Sequence, residues 1–345
     1  MSKKRRILII YTGGTIGMVQ DSETGALSPF NFENLMEAVP GLRSLDIFIE
    51  SYCFQTLIDS SDMGPDGWIH IAQVIEKNDA NFDGFVVLHG TDTMAYTASA
   101  LSFMLENLQK PLILTGSQLP IGVLRSDGKD NLINAFEMAS AVDSCGEPMV
   151  REVCVCFGSK LFRGNRITKF SAENFTAFIS ANFPAVAKVG VHVKWTLSDY
   201  RCLCAKKQAL IVHSHLETQV IIIKVYPGMT PKVLNAMLHI ENLKGVVLET
   251  YGSGNAPTSD AFIAELEDAI KRGIPILNVT QCADGSVEMG KYAASSRLRE
   301  IGVVSGKDIT TESAVTKMMY LLGLDLSFSE VCKLLSSSLR GEMTS

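Results

Sequence analysis

Short apolar runs followed by polar, glycine-rich loops recur along the whole chain. The first run, Ile7–Ile10, leads into YTGGT, and later runs lead into HGTDT, GSQLP, GSKLFRGN, YPGMT, YGSGNAP and TQCADGS. Short β-branched runs are typical of buried strands. Helices are predicted most clearly over Ala95–Leu108 and Asp260–Gly273, where Gly273 can close the second one. The alternation of strands and helices predicts parallel βα units and therefore an α/β fold.

The same alternation divides the chain into parts. Between about residues 196 and 218 the pattern breaks, and βα units resume at Val220. We therefore predict a larger N-terminal domain with a mostly parallel sheet over residues 1–195. A linker is predicted over 196–218, and a smaller, Rossmann-like α/β domain over 219–345.

Composition narrows the class of protein and of partner. Hydrophobic residues make up 46% of the chain and charged residues 20%, which suits a folded core and argues against disorder. The net charge of −6 gives no electrostatic reason to expect nucleic acid or an anionic membrane as a partner. No apolar run approaches the ~20 residues of a membrane span, and the basic start lacks a signal-peptide cleavage site. We therefore expect a cytoplasmic protein.

The cysteines do not predict a disulfide framework, because the chain has only eight in 345 residues. Two pairs, Cys154 with Cys156 and Cys202 with Cys204, have Cys-x-Cys spacing, whereas structural zinc sites usually have Cys-x-x-Cys. Positions two apart on a strand share one face, so Cys154 and Cys156 are predicted to be small core residues. We expect no metal and no cofactor.

The polar loops fall at the carboxyl ends of the predicted strands, where ligands bind in parallel α/β folds. In the first loop, Gly13 and Gly14 permit a sharp turn and a close approach of the backbone. Thr12 occupies the first glycine position of a dinucleotide-binding fingerprint, and no Walker sequence follows. From the residues alone, three roles are open for Thr15, namely a turn residue, a phosphate ligand and a nucleophile.

Two further loops carry reactive side chains that also have a structural interpretation. Thr91 or Asp92 can cap the helix that follows. Alternatively, this hydroxyl beside a carboxylate binds an α-ammonium group or orients a water. Lys169 is either a solvated surface charge or a buried lysine that assists deprotonation of a hydroxyl. The residues alone do not choose between these interpretations.

A fourth loop precedes the helix predicted to begin at Pro65. Asp59, Ser60 and Ser61 suit a helix cap and a turn, and they equally suit a site for the carboxylate of a small polar ligand. The chain has no Gly-x-Ser-x-Gly elbow, so an ordinary serine hydrolase is not predicted.

Seven motifs occur together, in order along the chain: TGGTIG, DSSDM, HGTDTMAYTASAL, TGSQLP, RGNRITK, YGSGNAP and LRGEM. Over nearly the whole chain they resemble the L-asparaginases of the bacterial type, most closely the cytosolic type I branch. The resemblance implies an amidohydrolase that converts L-asparagine to L-aspartate and ammonia, with weaker glutaminase activity and no cofactor. It also implies that the N-terminal domain is the catalytic one.

The resemblance assigns roles to the residues of these loops. It implies that Thr15 is the nucleophile, which attacks the side-chain amide carbon, releases ammonia and leaves an aspartyl ester for water to hydrolyse. Lys169 would help to deprotonate Thr91 or a water, and Asp92 would also hold the α-ammonium group of the substrate. The residues that match substrate-binding positions are Asp59, Ser60, Ser61, Thr91 and Asp92.

One departure from the family concerns the loop after the nucleophile. Many asparaginases place a tyrosine there, near the nucleophilic hydroxyl. The loop VQDSETGALSPFNF has none, and Ala26 lies close to the expected position. Tyr11, which precedes the nucleophile, is a poor substitute. The proton route therefore differs, turnover is slow, or the loop tyrosine is dispensable here.

A second departure concerns regulation. Some cytosolic relatives have a regulatory asparagine site, and Thr280 and Cys282 match its Thr-x-Cys portion. Glu249 stands where that site has an arginine, which reverses the charge where a carboxylate would bind, so we expect no regulation by asparagine. The family is typically a homotetramer, a dimer of dimers, in which YGSGNAP lies near a neighbour's active site. A contribution of Asn255 to that site is the corresponding expectation.

Two other functions remain to be weighed. An amidotransferase subunit that generates ammonia for tRNA-linked glutamate has a similar core but an extra domain before TGGT, and only eleven residues precede Thr12 here. A non-catalytic asparagine sensor of the same fold is favoured only by the missing loop tyrosine. Binding of asparagine without ammonia release would distinguish such a sensor from an enzyme.

Overall fold

The computed structural model describes residues 4–20, 27–29, 39–196, 208–290 and 293–345. The chain divides into two compact units, Met1–Val212 and His213–Ser345. This division falls inside the stretch 196–218 for which the sequence predicts a linker, and residues 197–207 of that stretch lie outside the described ranges. Each unit has its own hydrophobic core.

In the part of the chain that the structure describes, the first unit consists of short strands, three α-helices and short 3₁₀ turns. Its described strands are β1 (Arg5–Tyr11), β2 (Met18–Gln20), β3 (Leu27–Pro29), β4 (Ile47–Cys53), β5 (Gly84–Leu88), β6 (Leu105–Glu106), β7 (Leu112–Thr115), β8 (Val153–Phe157), β9 (Lys160–Arg163), β10 (Thr168–Lys169), β11 (Phe178–Ile179), β12 (Ala187–Lys188), β13 (Lys194–Trp195) and β14 (Ile211–Val212). The α-helices described there are α1 (Pro65–Asn78), α2 (Met94–Met104) and α3 (Gly128–Ser140).

An eight-stranded sheet organises the first unit, in the order β13-β12-β9-β8-β7-β5-β1-β4. Neighbouring strands from β4 to β8 are parallel, whereas β9, β12 and β13 pair antiparallel. All positions of β5 and β8 are buried, as expected for strands with both faces covered. Helix α2 packs against β8, and helix α3 packs against β5 and β7. The predicted mostly parallel sheet is confirmed.

The second unit is a smaller α/β domain. Its described strands are β15 (Val220–Lys224), β16 (Gly245–Thr250), β17 (Ile276–Thr280) and β18 (Val304–Ser305). Its described helices are α4 (Pro231–Leu238), α5 (Asp260–Lys271), α6 (Ala293–Glu300), α7 (Thr311–Leu322) and α8 (Phe328–Leu335). The strands form a parallel sheet in chain order, as predicted for a Rossmann-like arrangement.

Both of the clearest helix predictions are confirmed in position, but the observed helices end at other residues than predicted. Helix α2 stops at Met104, short of the predicted Leu108, because β6 takes up extended backbone there and pairs with β14. Helix α5 begins at the predicted residue, where the side chain of Ser259 accepts a hydrogen bond from the N–H of Phe262. Gly273, with a φ of 84°, follows its end as predicted.

Cys154 and Cys156 lie in β8 and are fully buried, so their prediction as core residues is confirmed. Cys202 and Cys204 lie outside the described residues. Within the described ranges, no cluster of histidine, cysteine and acidic side chains is arranged to hold a metal ion. In the same part of the chain, no helix is long and apolar enough to cross a membrane.

Candidate active site

The loops that carry Thr15 and Thr91 leave the sheet side by side. Strands β1 and β5 are parallel neighbours, with Tyr11 opposite Leu88 at their carboxyl ends. Just beyond that pair, the N–H and the hydroxyl of Thr12 donate to Leu88 O at 3.1 and 2.9 Å. The sheet therefore directs both threonine-bearing loops to the same edge.

Glycines allow these loops to touch backbone against backbone. Gly13 and Gly14 have φ values of 136° and 87°, which favour glycine. A Cβ atom on Gly13 would lie 2.2 Å from Ile58 O, and one on Gly14 would lie 2.5 Å from the nitrogen of Gly90. A Cβ atom on Gly90 would in turn lie 2.5 Å from Ser60 Oγ. Three loops with predicted site residues thus meet at distances that only glycine permits.

Lys169 joins this group from a distant part of the chain. It lies on β10, which pairs with β11, and its Nζ atom is 2.9 Å from Thr91 Oγ1 and 2.5 Å from Asp92 Oδ1. The side chain of Lys169 is 18% exposed and that of Asp92 is 64% exposed. An ammonium group only donates, so the Thr91 oxygen accepts this bond and the Thr91 proton points elsewhere.

Gln118 connects the same threonine to the loop that follows Lys169. Thr91 Oγ1 is 3.4 Å from Gln118 Oε1, and Gln118 Nε2 donates to the carbonyl oxygens of Ala172 and Asn174 at 3.0 and 3.2 Å. TGSQLP is one of the seven motifs, but no role was predicted for Gln118. Its place after β7, at the carboxyl end of a parallel strand, was the signal that could have identified it.

An aspartate immediately before helix α3 holds the Gln118 loop in turn. Asp127 accepts hydrogen bonds from the backbone N–H groups of Gln118 and Leu119 at 3.0 and 3.2 Å. It also accepts a bond at 3.0 Å from Asn131 Nδ2, which donates to Gly116 O as well. The loop is therefore held at Gly116, Gln118 and Leu119.

The loop Asp59–Ser61 has the capping geometry that the sequence predicts. The carboxylate of Asp59 accepts from the N–H and from the hydroxyl of Ser61, both at 2.8 Å. These two bonds lower the pKa of Asp59 from its ordinary value, so the carboxyl group is ionised at neutral pH. Ser60 is buried, and its carbonyl accepts from Thr93 Oγ1 at 2.5 Å.

The prediction that Thr91 or Asp92 caps the next helix is wrong. Helix α2 begins one residue further on, at Met94, with Thr93 at the capping position and no side-chain hydrogen bond to the helix. Both side chains contact Lys169 instead. The competing attraction of an ammonium group explains why the local capping preference does not decide here.

Thr15 begins a short 3₁₀ turn, Thr15–Gly17. Within the described residues no protein group hydrogen-bonds the Thr15 hydroxyl. Lys169 contacts Thr91 and not this predicted nucleophile. Tyr11 donates to Gly17 O at 2.9 Å, and burial raises the pKa of its phenol to about 12, with a smaller contribution from Cys53. The neutral phenol of Tyr11 therefore stabilises the turn through its hydrogen bond to Gly17 O. Ala26 lies outside the described residues.

The predicted regulatory residues lie in the second unit. Glu249 accepts from the hydroxyl of Thr311 at 2.6 Å and lies 3.3 Å from Lys224 Nζ. Thr280 Oγ1 donates to Gly252 O at 2.6 Å and accepts from the N–H of Cys282 at 3.0 Å. The Glu249 carboxylate thus already has a hydrogen-bond donor and a cation of its own unit as partners.

Asn255 lies in the same unit, in a tight backbone turn. Its N–H and C=O exchange hydrogen bonds with Tyr251, both at 2.9 Å. Its side-chain oxygen is buried and has no hydrogen-bond partner among the described residues. An unpaired buried amide oxygen is uncommon in a folded protein.

Comparison with known proteins agrees with this architecture. Residues 6–200 match the family model "Asparaginase, N-terminal", and residues 219–335 match "Glutaminase/Asparaginase C-terminal domain". L-asparaginase 1 from Escherichia coli K12 is 43% identical, with 99% of each chain covered. The 60 kDa lysophospholipase from Mus musculus is 44% identical, but the chain spans only 63% of that protein's length.

A solved structure extends the comparison to three dimensions. The crystal structure of L-asparaginase I from Vibrio cholerae has a TM-score of 0.89 and 39% sequence identity, over 99% of this chain and 100% of that one. Both family models match in the order in which the two units occur along the chain. The chain belongs to the asparaginase family.

Proposed function

We propose that the protein hydrolyses free L-asparagine to L-aspartate and ammonia, with weaker activity on L-glutamine. The observation that carries this proposal is the contact of Lys169 Nζ with both Thr91 Oγ1 and Asp92 Oδ1, on a loop that packs against Gly14. A lysine, a hydroxyl and a carboxylate in contact, on a loop next to that of a second threonine, are groups that can perform nucleophilic amide hydrolysis. Membership of the asparaginase family supports asparagine as the substrate.

In the proposed reaction the Thr15 hydroxyl loses its proton as it attacks the side-chain amide carbon. Backbone N–H groups of the glycine-rich loops stabilise the oxyanion that forms. The proton lost by Thr15 ends on the amide nitrogen, which leaves as ammonia, and an aspartyl ester remains on Thr15. A water that Lys169 and Thr91 help to deprotonate then hydrolyses the ester, and aspartate leaves.

We assign the substrate's charged groups to the two acidic loops. The exposed carboxylate of Asp92 and the ionised carboxylate of Asp59 suit the α-ammonium group of asparagine. The hydroxyls of Ser60 and Ser61 suit its α-carboxylate. Thr91 precedes Asp92 on the same loop and contacts Lys169, which suits a part in both binding and catalysis.

The test is ammonia release from asparagine and from glutamine by the wild type, Thr15→Ala and Thr15→Ser. We expect the alanine variant to lose turnover while remaining folded, and the serine variant to retain part of it because it keeps a hydroxyl. Near-normal turnover by Thr15→Ala would exclude the proposed nucleophile. Stoichiometric binding of asparagine by a wild type that releases no ammonia would identify a sensor.

We also propose that the enzyme is a cytoplasmic homotetramer, a dimer of dimers, with Asn255 near a neighbour's active site. The resemblance to the cytosolic type I branch supports this assembly. Light scattering should give the mass of four chains, and a monomer at micromolar concentration would contradict the assembly.

A further inference from the structure

A series of buried hydrogen bonds ends on the loop that carries Thr91. Trp68 Nε1 donates to Thr97 Oγ1 at 3.0 Å, and Thr97 Oγ1 lies 2.9 Å from His89 Nε2. On the other side of the ring, His89 Nδ1 lies 2.7 Å from Gly90 O. All three side chains are buried, and we call this series the His89 relay. It connects helices α1 and α2 to the HGTDT loop.

The direction of every hydrogen bond in the His89 relay follows from the groups at its two ends, the indole N–H of Trp68 and the carbonyl of Gly90. A backbone carbonyl only accepts, so His89 Nδ1 carries the hydrogen, and Nε2 of a neutral ring accepts. The Thr97 hydroxyl then donates to Nε2, while its oxygen accepts from the indole of Trp68. Burial lowers the pKa of His89 to about 4, so the ring is neutral at neutral pH. The tautomer is therefore fixed by its neighbours.

The relay fixes the peptide group between Gly90 and Thr91. In a planar trans peptide the C=O and N–H bonds point in opposite directions. Because Gly90 O is directed at the buried ring of His89, the N–H of Thr91 points away from that ring. Within the described part of the chain this N–H donates to no protein acceptor. The same peptide precedes the hydroxyl that Lys169 contacts.

We propose that His89 is a positioning residue for the hydrolysis described above, and that the Thr97 hydroxyl holds its ring in the orientation that reaches Gly90 O. The consequence for catalysis rests on the proposed function, whereas the hydrogen bonds stand independently of it. Without the Thr97 hydroxyl, Nε2 of the buried ring has no hydrogen-bond donor, and the ring is free to turn away from Gly90 O. The peptide then rotates, and Thr91 leaves its position beside Lys169.

The first test compares Thr97→Val with Thr97→Ser. Valine keeps the shape of threonine without the hydroxyl, and serine keeps the hydroxyl without the methyl group. We expect kcat to fall by ~10- to 100-fold in Thr97→Val with KM changed less than about threefold, and Thr97→Ser to stay within about threefold of the wild type. Unchanged kcat in Thr97→Val would overturn the proposal.

A second variant separates positioning from packing. Trp68→Phe removes the far donor and leaves a cavity, but Thr97 still donates to His89. We expect this variant to lose thermal stability while its kcat falls much less than that of Thr97→Val. If activity and stability fall in the same proportion in both variants, the relay only supports packing, and the proposal is wrong.

A third measurement reads the tautomer without any turnover. In the ¹⁵N NMR spectrum of protein labelled on histidine, His89 should show the Nδ1–H tautomer, with its resonances assigned by their absence in His89→Gln. Thr97→Val should keep this tautomer but move the Nε2 resonance downfield, because that nitrogen loses its hydrogen bond. An Nε2–H tautomer in the wild type would overturn the proposal. A wild type without ammonia release would overturn the proposed function and leave this tautomer result unaffected.

Discussion

Lys169 contacts both side chains of the HGTDT loop that the proposed chemistry uses. It is 18% exposed, so it is not the freely solvated charge that a lone lysine usually is. With three donors, its ammonium group can hold Thr91 and Asp92 together in the absence of substrate. A neutral amine at the same place can accept a proton from the Thr91 hydroxyl or from a water.

Replacing Lys169 separates these two roles. Because the proposed role is proton transfer, Lys169→Met should lower kcat by ~10²-fold or more. The matched control is Lys160→Met on β9, where the side chain is exposed, and it should behave like the wild type. Steady-state kinetics on asparagine give kcat and KM for both variants. A change confined to KM would make Lys169 a binding residue.

At the scale of elements, the site depends on how closely two loops approach. Gly14 and Gly146 both have positive φ values, of 87° and 78°, in the same unit. A Cβ atom on Gly14 would lie 2.5 Å from the nitrogen of Gly90, whereas one on Gly146 would meet nothing within 4 Å. A side chain at either position would strain the backbone, but only one at Gly14 would also clash with a neighbouring loop. Comparing substitutions at the two glycines therefore separates these two effects.

Alanine at these two positions should accordingly have different effects. Gly14→Ala should lower kcat/KM by ~10²-fold or more, because it displaces the turn that carries Thr15 from the Thr91 loop. Gly146→Ala should cost only about 1–2 kcal/mol of stability and retain activity. Kinetics together with thermal unfolding measure both effects. Equal loss of activity in the two variants would contradict the importance of the close approach.

The end of the chain is held to the second unit by a buried ion pair. Lys317 Nζ lies 2.6 Å from Glu342 Oε1, and both side chains are fully buried. Burial by itself raises the pKa of Glu342, but the Lys317 ammonium and the N–H groups of Leu339 and Arg340 lower it below its ordinary value. The ammonium also donates to two backbone carbonyls. The LRGEM motif therefore has a structural role of its own.

Removing one charge of this pair should be costly. Glu342→Gln leaves the Lys317 ammonium buried without a carboxylate, so we expect the free energy of unfolding to fall by about 3–5 kcal/mol. The control is Glu267→Gln, which breaks an exposed pair with Lys271 and should cost less than about 1 kcal/mol. Urea unfolding of the full chain measures both. A loss in Glu342→Gln as small as in the control would contradict the expectation.

At the scale of the whole molecule, the charge at Glu249 bears on regulation. The Glu249 carboxylate contacts Thr311 and Lys224. The carboxylate of a bound asparagine would therefore meet the negative charge of Glu249, and the nearby Lys224 is already paired with that residue. A regulatory asparagine would need a cation at that position. The second unit is therefore expected to contribute no asparagine-dependent switch.

Turnover as a function of asparagine concentration tests this expectation. A single class of sites gives a hyperbolic curve, with a Hill coefficient of about 1. Direct binding measurements should correspondingly give one asparagine per chain. A sigmoidal curve, or a second bound asparagine, would show that the site operates despite Glu249.

The sequence by itself determined the local structure of this protein. The apolar runs before YTGGT and HGTDT predicted β1 and β5, and helices α2 and α5 were predicted in place. Such features depend on residue spacing and on glycine conformations, which a short segment fixes alone. The motifs in their order also indicated the family. From the residues alone, however, Thr15, Thr91 and Lys169 each kept a structural interpretation.

Only the tertiary structure decided which distant residues meet. Lys169 contacts Thr91 across 78 positions of sequence, and the capping role predicted for Thr91 yields to that contact. Gln118 and the His89 relay were not predicted because polar side chains in helices and loops have no periodic signal. The physical reason is that strand order in the sheet, with β1 beside β5 and β5 beside β7, sets which loops are neighbours.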